Sequence, residues 1–99
     1  MIIEYSPTYE LKGDLGYDSP IGIKFKSIDE LKDRITEDYN SQDFRIASLD
    51  ISINETVSLY FDFPRTLKVF YHSNDIHYQI AKFESYSVPD LVHYLEEYV

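Results

Sequence analysis

Two histidines, His72 and His77, come nearest to the spacing of a metal site. The Asn74-Asp75 pair between them favours a tight turn, which would place the two imidazoles opposite each other on paired strands. Zinc requires at least a third protein ligand. The chain has no cysteine, and Asp75 in the turn is poorly placed to serve. The sequence therefore favours two surface histidines, with no metal and no other cofactor.

The sequence also contains no spacing of residues that is typical of nucleophilic catalysis. Serines are frequent, but none lies in a Gly-x-Ser-x-Gly elbow. His93 lies beside Glu96 and Glu97 on a predicted exposed helix face, and the loop 13–20 lacks the additional glycines and the basic residue of a phosphate-binding loop. Any two of eighteen acidic residues could form a catalytic pair, so their abundance indicates nothing specific. We predict no catalytic residues and a protein that is not an enzyme.

Carboxylates recur on one face of a predicted helix, and this is the pattern closest to a function. Asp29, Asp33 and Glu37 follow one another every four residues, with Glu30 alongside, so they lie about 6 Å apart along the helix axis. Like charges at this spacing cost a helix a few tenths of a kcal/mol each, by the usual ~0.2–0.5 per pair. Their occurrence in one row favours a use for them.

Two interpretations of this face are open. It is either a solvated surface, with Asp29–Lys32 and Glu30–Arg34 as weak ion pairs, or a surface that contacts a basic partner. One row is a poor mimic of duplex DNA, which carries one charge per ~1.7 Å. A second row would have to come from the C-terminal helix, where the acidic residues are Asp90, Glu96 and Glu97.

The composition limits the partners that the chain can bind. Eighteen acidic and nine basic residues give a formal charge of −9, which disfavours direct contact with nucleic acid or with an anionic membrane. The absence of cysteine excludes disulfides, and neither a signal peptide nor an apolar run of ~18 residues is present. We expect a single domain over residues 1–99, located in the cytoplasm.

Apolar and polar residues alternate in the segment from Phe44 to Phe83, which predicts four antiparallel strands. A shift of one residue in the strand pairing would expose all the apolar side chains of a strand to water. The apolar residues from Ala47 to Ile53 therefore fix the pairing with the next strand, and Asn54 in the first turn suits a positive φ. The predicted opposed pairs are Ile53 with Val57, Leu49 with Phe61, Phe63 with Leu67, Phe61 with Val69, Tyr71 with Tyr78 and His72 with His77.

Helix-capping residues and hydrophobic periodicity predict the two helices and the remaining short strands. Ser27 and Glu30 form a capping box for a helix over residues 28–39, and Ser87 precedes a second helix over about 88–98. Short strands are expected at residues 2–5, 9–12 and 21–25, with a break at Ser6-Pro7. The predicted buried stripes are Ile28, Leu31, Ile35 and Tyr39 in the first helix and Val88, Leu91, Val92, Leu95 and Val99 in the second.

These patterns predict an α+β fold, with an antiparallel sheet of five to six strands and both helices packed on one face. The expected function is a non-catalytic acidic protein that blocks a basic partner, a nuclease or other nucleic-acid-binding protein. Toxin-neutralising immunity proteins and phage-encoded inhibitors of host defence nucleases share this composition, and the sequence does not decide between them. The alternative is an assembly subunit, for example a homodimer, that self-associates through Tyr60, Phe70 and Phe83 on the other sheet face.

Overall fold

The computed structural model of the chain describes residues 2–54, 57–62, 67–73, 76–83 and 88–97, and its account of Val57, Leu67, His77, Tyr78 and Val88 is confined to the backbone. Within these residues the chain forms seven strands and two helices. In chain order they are β1 (Ile3–Leu11), β2 (Tyr17–Asp18), β3 (Ile23–Phe25), α1 (Ile28–Tyr39), β4 (Phe44–Ile53), β5 (Val57–Asp62), β6 (Leu67–Ser73), β7 (Ile76–Phe83) and α2 (Val88–Glu97).

All strands join one antiparallel sheet in the order β2-β1-β4-β5-β6-β7, and β3 also pairs with β1. The predicted α+β class is confirmed, with one strand more than expected because the loop 13–20 contains the short β2. Leu31 and Ile35 of α1 and Leu91 and Leu95 of α2 pack into the same buried cluster as the strands. This arrangement is compatible with both helices covering one face.

The opposed pairs named from parity are confirmed where the structure describes both partners, but the parity between β6 and β7 fails beyond Phe70, where the register shifts. Asn54 has a φ of 50°, as the odd-numbered first turn requires. The pairing of Phe63 with Leu67 and the turn at Asn74-Asp75 lie outside the described residues. The confirmed pairs are Ile53 with Val57, Leu49 with Phe61, Phe61 with Val69, Tyr71 with Tyr78 and His72 with His77.

A bulge in β4 changes which residues face the core. Thr8 lies opposite Ser48 while Tyr9 lies opposite Ile46, so Ala47 is an extra residue between two pairs. An extra residue reverses the alternation beyond it. Ile46 is therefore buried, and the prediction that Ala47 continues the apolar face is wrong.

A second bulge lies in β7 and moves Phe83 to the core face. Phe70 pairs with Gln79, but Val69 pairs with Ala81, so β7 holds one residue more than β6 between these pairs. Phe83 consequently packs against the core cluster, and its ring meets an aromatic ring of α2 with 5.7 Å between centroids. The predicted position of Phe83 beside Tyr60 on the other sheet face is wrong.

β1 is one continuous strand, although two strands separated at Ser6-Pro7 were predicted. β3 pairs with Ile3–Tyr5 and β2 pairs with Tyr9–Glu10, so Pro7 lies between the two paired segments on that edge. The bulge follows directly at Thr8. Proline is tolerated at such a position because the ladder makes the least demand on its missing N–H there.

The N-terminus of α1 is capped much as the sequence predicts. The Ser27 hydroxyl accepts a hydrogen bond from the Glu30 amide at 3.3 Å. The Glu30 carboxylate reaches back and accepts from the Lys26 amide, also at 3.3 Å, one residue before the position of an ideal capping box. The first turn of α1 therefore begins at the predicted residue.

The inner face of α1 differs from prediction at its last turn. Leu31 and Ile35 are fully buried, but Tyr39 is 39% exposed and Asp38 is only 5% exposed. At 100° per residue, positions 38 and 39 lie at nearly equal angles on either side of the apolar stripe. Helix geometry alone thus does not choose between them, and the polar partners of Asp38 decide the outcome. In α2, Leu91 and Leu95 are buried as predicted.

We expect Ser27→Ala to lower the free energy of unfolding by about 1 kcal/mol, because the Glu30 amide loses its capping acceptor. Urea unfolding followed by circular dichroism measures the change. Thr36→Ala is the matched control, since the Thr36 hydroxyl only bonds back to the Lys32 carbonyl on the exposed side of α1. Its replacement should leave stability unchanged or raise it. Equal losses in both variants would contradict a specific cap.

Candidate functional site

A buried carboxylate gathers three donors where α1 lies against β1. The Tyr5 hydroxyl donates to Asp38 Oδ2 at 2.8 Å, the Tyr9 hydroxyl donates to the same oxygen, and Arg34 Nε donates to Asp38 Oδ1 at 3.0 Å. We call Tyr5, Tyr9, Arg34 and Asp38 the Asp38 cluster. Each oxygen of the buried carboxylate has a partner, which a buried charge requires.

Local structure explains why these four side chains meet. Tyr5 and Tyr9 are four residues apart on β1 and both face the core, while Arg34 and Asp38 are four residues apart on α1 and therefore neighbours. The cluster was not predicted from the sequence. Its only signal was an acidic residue at an angle as close to the apolar stripe as Tyr39, and a hydrophobicity pattern assigns such a residue to the surface.

The electrostatic environment keeps the two tyrosines of the Asp38 cluster protonated. Burial, followed by the neighbouring Asp38 carboxylate, raises the pKa of Tyr5, and burial together with the hydrogen bond to Asp38 raises the pKa of Tyr9 to about 12. The pKa of Arg34 is also raised, first through its hydrogen bond with Tyr9. Both phenols therefore remain donors, which suits an anchor and disfavours a general base.

A pocket of about 490 Å³ opens beside the Asp38 cluster at the C-terminal end of α1. Its wall joins the cluster to the segment that leads into β4, and it combines carboxylates with one aromatic ring from that segment. The lining residues are Tyr9, Arg34, Glu37, Asp38, Ser41, Gln42, Asp43 and Phe44.

The predicted acidic residues of α1 are all exposed: Asp29, Glu30, Asp33 and Glu37. We call Asp29, Asp33 and Glu37 the acidic row. The ion pairs Asp29–Lys32 and Glu30–Arg34 do not form.

Both cations of α1 bind other partners. Arg34 binds Asp38, and Lys32 binds Glu96 of α2. Asp29 contributes to the field at Lys32 without pairing with it. Within the described part of the chain, no basic group lies within ion-pair distance of the acidic row.

The predicted second row on α2 is brought alongside α1 but is partly neutralised. The Lys32–Glu96 pair crosses between the helices, raises the pKa of Lys32 and lowers the pKa of Glu96. Glu97 Oε1 lies 3.4 Å from His93 Nε2 on its own helix. Asp90 is half-buried in the first turn. The acidic row of α1 is therefore the more available of the two.

The other face of the sheet carries the two remaining residues of the predicted aromatic surface. Tyr60 is 38% exposed, Phe70 is half-buried, and their ring centroids are 6.2 Å apart. Next to them a depression of about 400 Å³ is lined by Asp50, Ser58, Tyr60 and His72. Partial desolvation raises the pKa of Asp50, and the charge of His72 acts in the opposite direction.

His72 is exposed on this face, opposite His77 in the backbone register. The His77 side chain lies outside the described residues. Among the described residues, no group of three histidine, aspartate or glutamate side chains could hold a metal ion. No described helix has the length and apolar character that crossing a membrane requires.

Comparison of the chain with protein-family models, with curated proteins and with solved structures gave no match. The function is therefore inferred from the geometry and charge of these surfaces.

We expect Asp38→Asn to lower the free energy of unfolding by about 3 kcal/mol, because it leaves Arg34 with a neutral partner inside a buried network. Urea unfolding measures this loss. Glu37→Gln is the control, since Glu37 is the neighbouring acidic residue of α1 and is exposed. It should change stability by less than about 0.5 kcal/mol. Similar effects of the two substitutions would contradict the anchoring role of Asp38.

Alkaline pH should also reduce the stabilisation that the Asp38 cluster gives to the fold. The pKa of Tyr9 is about 12 in the folded chain, against 10.0 for an ordinary tyrosine, and the pKa of Tyr5 is raised as well. The folded state therefore keeps protons that the unfolded state loses, so this stabilisation is complete below pH 10 and falls as the pH rises towards 12. Each such tyrosine contributes a slope of about 1.4 kcal/mol per pH unit.

Urea unfolding at a series of pH values across this window measures the slope. The Tyr5→Phe/Tyr9→Phe double variant starts from a lower stability because Asp38 loses two donors. It should nevertheless show a flatter pH dependence, since it lacks the two phenols. A slope as steep as that of the wild type would assign the effect to other groups.

Proposed function

We propose that the chain is a non-catalytic acidic protein of the cytoplasm that blocks a basic protein partner. The partner is a nuclease or another nucleic-acid-binding protein, whose phosphate-binding groove is occupied by the acidic face of α1. The residues assigned to the contact are Asp29, Glu30, Asp33 and Glu37, flanked by Asp90, Glu96 and Glu97 of α2.

One observation carries this proposal: the two cations of α1 are both drawn away from its acidic face. Arg34 binds the buried Asp38, and Lys32 bridges to Glu96. A merely solvated helix face is usually interspersed with compensating pairs at spacing three or four. Here Asp29, Asp33 and Glu37 form no ion pair within the described residues, and a basic groove would supply the missing cations.

The spacing of the acidic row suggests how the contact works. Carboxylates about 6 Å apart along the helix axis are sparser than the phosphates of one DNA strand, which follow every ~3.4 Å. The row is thus better suited to long-range attraction than to a phosphate-by-phosphate match. A formal charge of −9 on 99 residues extends that attraction and would speed the encounter with a basic groove.

The shared character of this surface does not distinguish an immunity protein from a phage inhibitor of a host nuclease. Both would present a dense acidic face to a positively charged groove, and neither needs a catalytic residue. The identity of the captured partner distinguishes them.

The double variant Asp29→Asn/Asp33→Asn tests the proposal. The immobilised protein captures its partner from a lysate of the native host, and duplex DNA then competes with the purified partner for binding. We expect the variant to associate at least about threefold more slowly at 0.01 M salt, where the Debye length is ~30 Å, and the difference to shrink at physiological salt, where it is ~8 Å.

Asp14→Asn/Asp18→Asn is the matched control. Both residues are exposed and lie outside α1, the change in net charge is identical, and asparagine suits the φ of 56° at residue 14. The proposal requires a smaller loss for this variant and competition by DNA. Equal recovery and equal rates for both variants would remove the acidic row from the mechanism, and a partner indifferent to DNA would exclude the phosphate-binding groove.

A further inference from the structure

The pocket beside the Asp38 cluster carries an excess of negative charge. We call this pocket of about 490 Å³ the α1 pocket. Its acidic lining residues are Glu37, Asp38 and Asp43. Its basic lining residue is Arg34, so three negative charges and one positive charge give its wall a formal charge of −2. The volume lies within the range of about 300–1,000 Å³ that is typical of ligand pockets. The charge favours a cationic ligand.

The two charges that remain uncompensated belong to Glu37 and Asp43. Arg34 Nε donates to Asp38 Oδ1 at 3.0 Å, so the charges of this pair cancel. Within the described part of the chain, neither Glu37 nor Asp43 forms an ion pair. The end of α1 adds to the negative potential, since its last turn holds no basic residue to offset the carbonyl end of the helix dipole.

An aromatic ring gives the α1 pocket a second means of holding a cation. Phe44 lines the pocket and is half-buried, and its ring lies against that of Tyr9 with 4.0 Å between centroids. A planar guanidinium can stack on such a ring while it donates hydrogen bonds to carboxylates, whereas an ammonium group is a compact point charge. The combination of an aromatic ring and two carboxylates therefore favours arginine over lysine.

Hydrogen bonds hold the segment that carries Asp43 in place. The Asp43 carbonyl accepts from the Lys12 amide at 3.2 Å, and the Asp43 amide donates to the Ser41 hydroxyl at 3.1 Å. The Ser41 amide donates in turn to the Asp38 carbonyl at 3.2 Å. The segment is thus tied both to the end of β1 and to α1. Little ordering entropy is therefore lost when a ligand binds there.

We propose that the α1 pocket receives an arginine side chain of the basic partner, with its guanidinium between the Glu37 and Asp43 carboxylates and against the Phe44 ring. Glu37 is also the last member of the acidic row, so the pocket continues the proposed contact surface at the end of α1. The inference rests on the proposed function and adds a specific anchor to it. The acidic row attracts the partner at long range, and the pocket holds its arginine after contact.

An isolated arginine tests the pocket without any partner protein. The probe is arginine blocked at both ends, as its α-acetyl amide, and ¹H–¹⁵N NMR spectra of the full chain follow the titration. We expect the largest shifts at the amides of residues 37–44. Blocked citrulline has nearly the same shape without the charge, and it should bind at least about fivefold more weakly. Blocked lysine should also bind more weakly than arginine, because its ammonium group does not stack on a ring.

Asp43→Asn should weaken binding of the arginine probe by at least about threefold, since it removes one exposed ion pair. Asp14→Asn is the matched control, because Asp14 is also exposed, lies outside the pocket and loses the same charge. This variant should bind the probe as the wild type does. Equal binding of arginine and citrulline, or equal losses in the two variants, would overturn the inference.

Separate measurements distinguish a failure of the pocket from a failure of the acidic row. Asp29→Asn/Asp33→Asn leaves the lining of the pocket unchanged, so it should bind the arginine probe normally while it associates slowly with the partner. In the complex, Asp43→Asn should raise the dissociation rate more than it lowers the association rate. An unchanged dissociation rate would overturn the role of the pocket and leave the proposed function intact. A chain that binds the probe but no basic partner would refute the proposed function while confirming the pocket as a guanidinium site.

Discussion

The hydrogen bonds to Asp38 fix the rotation of α1 on the sheet, and the character of the helix surface follows from that rotation. Tyr5 and Tyr9 are held by β1, so the carboxylate must turn inward to meet their hydroxyls. Arg34, one turn earlier, must then turn with it to neutralise the buried charge. This anchor removes a cation from the solvent side of α1 and pushes Tyr39 towards water. The uncompensated acidic row is thus a consequence of how the helix is attached.

Lys32, like Arg34, pairs with a carboxylate outside the acidic row, and its partner lies on α2. Its ammonium group is committed to Glu96, so the tie between the two helices also removes a positive charge from the acidic row. The repulsion within the row costs only a few tenths of a kcal/mol for each pair, on the order of 0.3. Burial of Leu31 and Ile35, at about 2 kcal/mol for each side chain, exceeds this cost easily. The fold can therefore maintain an acidic row that has no ion-pair partner among the described residues.

The alternation of apolar and polar residues predicted much of the strand pairing. It does so because a shift of one residue in the pairing would expose a whole apolar face to water. The pairs Leu49–Phe61 and Tyr71–Tyr78 follow from it directly. The rule fails at Ala47 and Phe83, since an inserted residue shifts the phase of the alternation and the parity argument assumes one constant phase along each strand. The Asp38 cluster was missed for a related reason: its stability comes from three donors on two elements, and periodicity within one helix contains no information about them.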